Sequence, residues 1–332
     1  MNTPTLAALA ALGLAATLAP AAVGAPGQPA LSFPLACELG RTCEIQHYVD
    51  RDPGPGARDY RCGLQTYDKH NGIDIRLPDM AAQRRGVAVL AAAAGRVARL
   101  RDGVADISVK APGAPSVANQ ECGNGVVVDH GGGWETQYCH MARGSISVKV
   151  GDTVAAGAPL GRVGLSGNTE FPHLHMTVRH AGQVVDPFAP DMSAPQACGA
   201  QQGLWTAQAR ARMTYRPGLA LNAGFTDAQI TMGELEAGGL RPMTADAPWL
   251  VAYVRAISLL PGDSVELDVK GPDGASLAHD RAAPLQRWRA QQLTYVGKRR
   301  PPGGWPKGRY IADYKVWRAG KVAESRRFEI RL

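Results

Sequence analysis

Phe171-Pro172-His173-Leu174-His175-Met176 is the stretch on which the reading of this chain turns. If residues 173–177 are extended, the two-residue period of a strand sends His173 and His175 to one face and Leu174 to the core. Two neutral imidazoles side by side serve metal binding or proton transfer, whereas two isolated surface histidines serve neither. The rest of the chain decides between these. Far upstream, Tyr67-Asp68-Lys69-His70-Asn71-Gly72-Ile73-Asp74 holds a histidine and a carboxylate around a glycine. His70, Gly72 and Asp74 alternate with Ile73 and Ile75, which predicts a short strand over 70–76 with His70 and Asp74 facing the same way.

Between these stretches, residues 123–140 read as a hairpin. A β-branched strand through Val126-Val127-Val128 meets Gly131-Gly132-Gly133, and a second strand alternates Thr136, Tyr138 and His140. His130 falls near the turn and is assigned to solvent. Gly86 to Leu100 is ambiguous by pattern, its alanines suggesting helix while Gly86, Gly95 and the valines favour two short strands and a turn, and residues 101–121 read as an irregular insertion. The run from Val148 to Gly164 is a β-turn-β pattern shared with biotinyl and lipoyl carrier domains. No acceptor lysine stands at a hairpin tip, so here the pattern is scaffold.

His-x-Gly-x-Asp (His70–Asp74), Tyr-x-His-Met (Tyr138–Met141) and His-Leu-His (His173–His175), in this order, resemble the lysostaphin-type (LytM-like) zinc metallopeptidases over roughly residues 60–190. The resemblance implies an antiparallel β-sheet domain with one Zn²⁺ held by His70, Asp74 and His175, leaving the fourth position to water as hydrolytic zinc requires. It assigns His140 and His173 to catalysis, one as general base or proton shuttle and the other to the developing oxyanion, without saying which. It points to peptide bonds in peptidoglycan, in stem cross-links or bridges. Met176-Thr177 replaces the usual Phe-Glu, and Glu170-Phe171-Pro172 replaces small residues; both changes bear on substrate detail. The alternative is a catalytically silent LytM-like adaptor that binds wall or activates a murein amidase. Such relatives normally lack ligands or catalytic histidines, and all five positions are filled here. His47, in Glu44-Ile45-Gln46-His47, is weighed as a stray ligand and assigned to the surface.

The 332 residues exceed what one core usually organises, so two domains are expected. Leu6 to Ala19 is an alanine- and leucine-rich run, too short to span a bilayer, which takes about 20 apolar residues. It reads as the core of a signal peptide over residues 1–25, although no Lys or Arg precedes it. Six cysteines, an even number without a Cys-x-x-Cys pair, fit an oxidising compartment, periplasmic or extracellular. They permit about 15 pairings; Cys37–Cys43, Cys122–Cys139 across the hairpin and Cys62–Cys198 are expected.

The division expected is a disulfide-pinned leader over 26–61, a LytM-like domain over 62–200 and a basic domain over 201–332. Residues 201–332 hold 20 Lys/Arg against 12 Asp/Glu, while the first 200 hold 16 against 17. A field of that sign attracts anionic wall or membrane polymers. No nucleic-acid partner is expected, and no membrane span in the mature chain. Alternating runs at Ser264–Lys270, Arg309–Trp317 and Lys321–Arg331 predict a β-sandwich, with an immunoglobulin-like one the candidate. The fold class is therefore mainly β, a LytM-like metallopeptidase sheet followed by this sandwich.

Overall fold

The computed structural model describes residues 27–194, 196–199 and 203–332. The expected signal segment, 1–25, lies outside them. No described helix is long and apolar enough to cross a membrane.

The first half is built from β1 (Glu44–His47), β2 (Ile73–Arg76), α1 (Met80–Arg85), β3 (Ala88–Leu90), β4 (Gly95–Arg101), β5 (Asn124–Gly131), β6 (Trp134–Met141), β7 (Thr153–Val154), β8 (Pro159–Arg162), β9 (His173–His180) and β10 (Gln183–Val185). Eight of these strands form one sheet, ordered β1-β2-β9-β6-β5-β4-β7 with β10 beside β9, while β3 and β8 pair separately. Every pairing is antiparallel. Alternation does what the sequence predicts at the centre: Ile73, Ile75, Leu174 and Met176 are fully buried. Each such side chain contributes about 1.5–3 kcal/mol. The β5–β6 hairpin turns through Gly132 and Gly133, both at positive φ, as a two-residue hairpin turn requires.

Three expectations need correction. β2 begins at Ile73 rather than His70; His70 sits in a preceding turn, its N–H donating to Tyr67 O (3.0 Å) after Lys69 at φ 64°. The segment read as a leader is part of the sheet, since β1 pairs with β2 and Leu31, Phe33, Leu35 and Ile45 join the same buried cluster. Without β1 the edge of β2 would stand open. At the other end Leu204, Trp205, Ala209 and Met213, around α2 (Ala207–Arg212), pack into that cluster too. A division at residue 200 therefore runs through packed core. The cysteines pair as expected, Cys37–Cys43, Cys62–Cys198 and Cys122–Cys139. Closing the 136-residue separation of the second is worth about 5 kcal/mol in the chain-entropy account.

The second half holds β11 (Ala220–Thr226), α3 (Met232–Ala237), β12 (Trp249–Leu259), β13 (Ser264–Lys270), β14 (Ser276–Arg281), β15 (Arg289–Arg299), β16 (Arg309–Arg318) and β17 (Lys321–Arg331). They form a three-stranded sheet, β11-β12-β15, and a four-stranded one, β14-β13-β16-β17. Leu250, Ala252 and Val254 of the first share a buried cluster with Val265, Leu267, Tyr310 and Tyr314 of the second, the arrangement a two-layer sandwich needs. Relative to the immunoglobulin constant order, the fourth strand lies in the other sheet.

The halves meet through buried charge. Arg76 of β2 and Arg255 of β12 both donate to Oε2 of Glu236 on α3, and Arg255 also reaches Pro78 O. Both guanidiniums are fully buried. The Arg76 guanidinium also lies 3.8 Å from the centre of the Phe171 ring.

Candidate active site

β9 supplies two histidines by alternation, and register does the rest. His175 lies opposite Asp74 on β2 and opposite Cys139 on β6, so three strands present neighbours on one face. His70 arrives from its turn with Nε2 3.1 Å from Asp74 Oδ1, and His175 Nδ1 lies 2.9 Å from the same oxygen. The two nitrogens are 3.2 Å apart. Gly72 is required for this approach: a Cβ there would stand 2.6 Å from Met176 O and 2.7 Å from His175 Nε2.

The outward hydrogen bonds of these rings decide what faces inward. His70 Nδ1 donates to Tyr48 O (2.6 Å), and a carbonyl can only accept, so Nε2 carries a lone pair. His175 Nε2 lies 3.0 Å from Asn71 Oδ1 and 3.1 Å from Thr177 Oγ1, so the hydrogen is there and Nδ1 carries the lone pair. His70 Nε2, Asp74 Oδ1 and His175 Nδ1 thus form a convergent set of three acceptors, all within 4.8 Å of one another. Such a set calls for a cation, and two imidazoles with one carboxylate are donors that suit a divalent transition metal. Burial works against the charged forms, yet the facing histidines hold Asp74 well below the usual carboxylate range, and Asp74 raises His70.

His140 and His173 stand beside this set, their ring centres 4.6 Å apart, with His140 6.0 Å from His175. Plain alternation would have sent His140 to the core face of β6 with Thr136 and Tyr138. β6 instead carries one extra residue against β5, because Val126 pairs with Tyr138 and Asn124 with Met141. His140 takes φ 60° in that bulge, and Met141 goes to the core in its place. His140 N–H donates to Cys122 O (2.8 Å) and its Nδ1 to Ser166 O (2.8 Å). His173 Nδ1 donates to Phe171 O (2.9 Å), with Thr169 Oγ1 at 3.0 Å. Each ring therefore turns Nε2 toward the three-acceptor set, that of His173 lying 3.5 Å from Asp74 Oδ1. Burial lowers the proton affinity of both, His173 to about 4 and His140 well below the ordinary range, and so keeps them neutral.

All five residues singled out from sequence thus meet at one place. The supports of this three-acceptor set were missed: Tyr48 O, Asn71, Thr177 and His47. His47 is not on the surface; it is buried, with Nδ1 2.9 Å from Asp74 Oδ2. Its signal was the alternating Glu44-Ile45-Gln46-His47, readable as a strand. His130 is half-buried rather than solvent-facing, held by Ala94 O and Thr136 Oγ1, both at 2.8 Å. Beside the site runs a groove of about 310 Å³ whose walls include Tyr67, Glu121, Asn168, Thr177 and Arg179. Glu121 ends the irregular segment 101–121, which Ser108 and Val109 tie to Glu170 and Thr169 in the loop leading into β9.

Residues 68–187 match Peptidase family M23. The chain is similar to the cell division protein DipM of Caulobacter vibrioides, 32% identical over 125 residues, 38% of this chain and 17% of that protein. It is similar to the DD-carboxypeptidase/endopeptidase Mpg of Neisseria meningitidis, 30% identical over 145 residues, 44% of this chain and 28% of that protein. It thus spans less than a third of the length of either relative. Among solved structures, the catalytic domain of the antimicrobial peptidase lysostaphin from Staphylococcus simulans aligns at TM-score 0.28 with 24% identity, over 42% of this chain and 90% of that one. The chain thus carries a Peptidase family M23 (LytM-like) domain over residues 68–187.

Proposed function

We propose that the chain is an exported zinc metallo-endopeptidase that hydrolyses peptide bonds in peptidoglycan. The observation that carries this reading is the convergence of three acceptor atoms, His70 Nε2, Asp74 Oδ1 and His175 Nδ1, beside two neutral histidines whose Nδ1 atoms are committed to backbone carbonyls. His70, Asp74 and His175 would hold the ion. Zinc, when bound, polarises a peptide carbonyl and brings the pKa of a water to about 7. In His140 and His173, with Nδ1 committed to a carbonyl, Nε2 is the atom that takes up a proton. Once protonated it donates to the oxyanion or to the leaving nitrogen. The groove orients the peptide across these two rings. Three disulfides support export, and the basic excess of residues 201–332 supports a second contact with anionic wall or membrane polymers.

The test is metal content beside hydrolysis of purified peptidoglycan. His175→Ala should lose zinc and activity together. His140→Ala and His173→Ala should keep near-stoichiometric zinc and lose activity by about 10²–10⁴, the usual worth of a general base or an oxyanion donor. Wild-type protein that carries zinc but releases no new amino termini from any wall preparation would favour the adaptor reading. Zinc retained by His175→Ala would overturn the ligand assignment.

A further inference from the structure

His47 lies outside the residues matched to the peptidase family, on a strand that sequence reading left as leader. It nonetheless touches the site. In the β1–β2 pairing His47 stands opposite Asp74, and its Nδ1 is 2.9 Å from Oδ2, the carboxylate oxygen turned away from His70 and His175. The two oxygens of an aspartate are interchangeable until something distinguishes them, because rotation about the last side-chain bond is broad and nearly two-fold.

We propose that His47 is a positioning residue for the metal site: its Nδ1–H holds Asp74 Oδ2, so that Oδ1 alone is offered beside His70 Nε2 and His175 Nδ1. The inference rests on the metal reading above and extends it to a residue of β1. The orientation of the ring is fixed from several sides. Gln46 Oε1 is taken by Arg76 (2.8 Å), which turns the Gln46 amide nitrogen toward His47 Nε2 at 3.5 Å and leaves the donor hydrogen on Nδ1. Tyr67 stands edge-on with ring centres 5.3 Å apart, and Trp288 of the C-terminal half closes the other side at 6.3 Å. His47 is only 6% exposed. Outer partners that hold a metal ligand typically change metal affinity by about 10–100-fold when removed.

The experiment is zinc affinity of the full chain, read by competition with a chromogenic chelator, for wild type, His47→Ala, His47→Leu and His47→Asn. Asparagine places an amide N–H where the Nδ1–H was; leucine fills the volume without a donor. The expected result is a loss of about 10–100-fold for Ala and Leu, with Asn restored to within a few-fold of wild type. Should the alanine chain not fold, leucine against asparagine carries the same comparison. Ala or Leu binding zinc as tightly as wild type overturns the proposal. So does an equal loss in Leu and Asn, which would make His47 a packing residue. Zinc affinity is read whether or not wall is cut. A wild type that binds zinc without hydrolysis therefore defeats the peptidase reading alone.

Discussion

Glu236→Gln should destabilise the chain by about 3 kcal/mol, far more than neutralising one surface carboxylate. Arg76 and Arg255 bring two fully buried guanidiniums to a single carboxylate, itself only 16% exposed. Burial first, and then the Arg255 charge, pull Arg76 down to about 9, with Glu236 opposing both. Removing the one anion leaves two buried like charges facing neutral acceptors: Gln46 and Gln291 for Arg76, Asn222 and Pro78 O for Arg255. Breaking a buried pair costs about 3–5 kcal/mol. The remaining acceptors and the partial exposure of Glu236 argue for the low end, still a large share of a typical stability of about 5–15 kcal/mol. Urea denaturation followed by tryptophan fluorescence measures it, and Arg76→Met in the Glu236→Gln background should recover part of the loss by removing one unpaired cation. A Glu236→Gln chain with the midpoint and slope of wild type would refute the reasoning.

Two further outcomes follow from charge. Glu44 on β1 is raised to about 7 by burial, against the Ile45 N–H and Arg216. Its folded pKa exceeds its unfolded one, so the stability it contributes is present below about pH 4.5 and lost as pH rises toward 7. Glu44→Gln should therefore match wild type near pH 4.5 and exceed it by about 3 kcal/mol at pH 7, and a constant difference across that window in denaturation series would sink the idea. Lys298, Arg299 and Lys307 have no carboxylate in ion-pair reach among the described residues, unlike Arg318 with Asp263 or Arg327 with Asp313. Changing the three to Gln should weaken co-sedimentation with isolated walls most at low salt, where exposed charge is least screened; undiminished binding at every salt concentration would make them a solvated face.

What the sequence made legible is what depends on period. Leu174 and Met176 fix the face of β9, and hence the side to which His173 and His175 point. Strict alternation gave the bounds of β13 and β17. What it could not supply is partnership. Nothing in Glu44–His47 names β2 as its neighbour, so the strand was passed over together with its histidine. The bulge at His140 is a mismatch of count between two strands, invisible in either one alone. The short helices were missed for a different reason, since Thr231-x-x-Glu234 is a capping box that starts α3 and could have been read. The packing of Leu204 to Met213 onto the first core follows from where the chain returns, which composition does not record.

The bulge also ties chemistry to a crosslink. A non-glycine residue at φ 60° carries strain on the order of 1–3 kcal/mol that its surroundings must hold. Cys139, next to His140, is fastened to Cys122, whose carbonyl accepts the His140 N–H. In a chain whose cysteines 122 and 139 are still thiols, the ring keeps its bond to Ser166 O, and the His140 backbone keeps its bonds to Cys122 O and Gly164 N. Closing that disulfide would fasten the strand one residue from the bulge, so the crosslink steadies the backbone that presents His140.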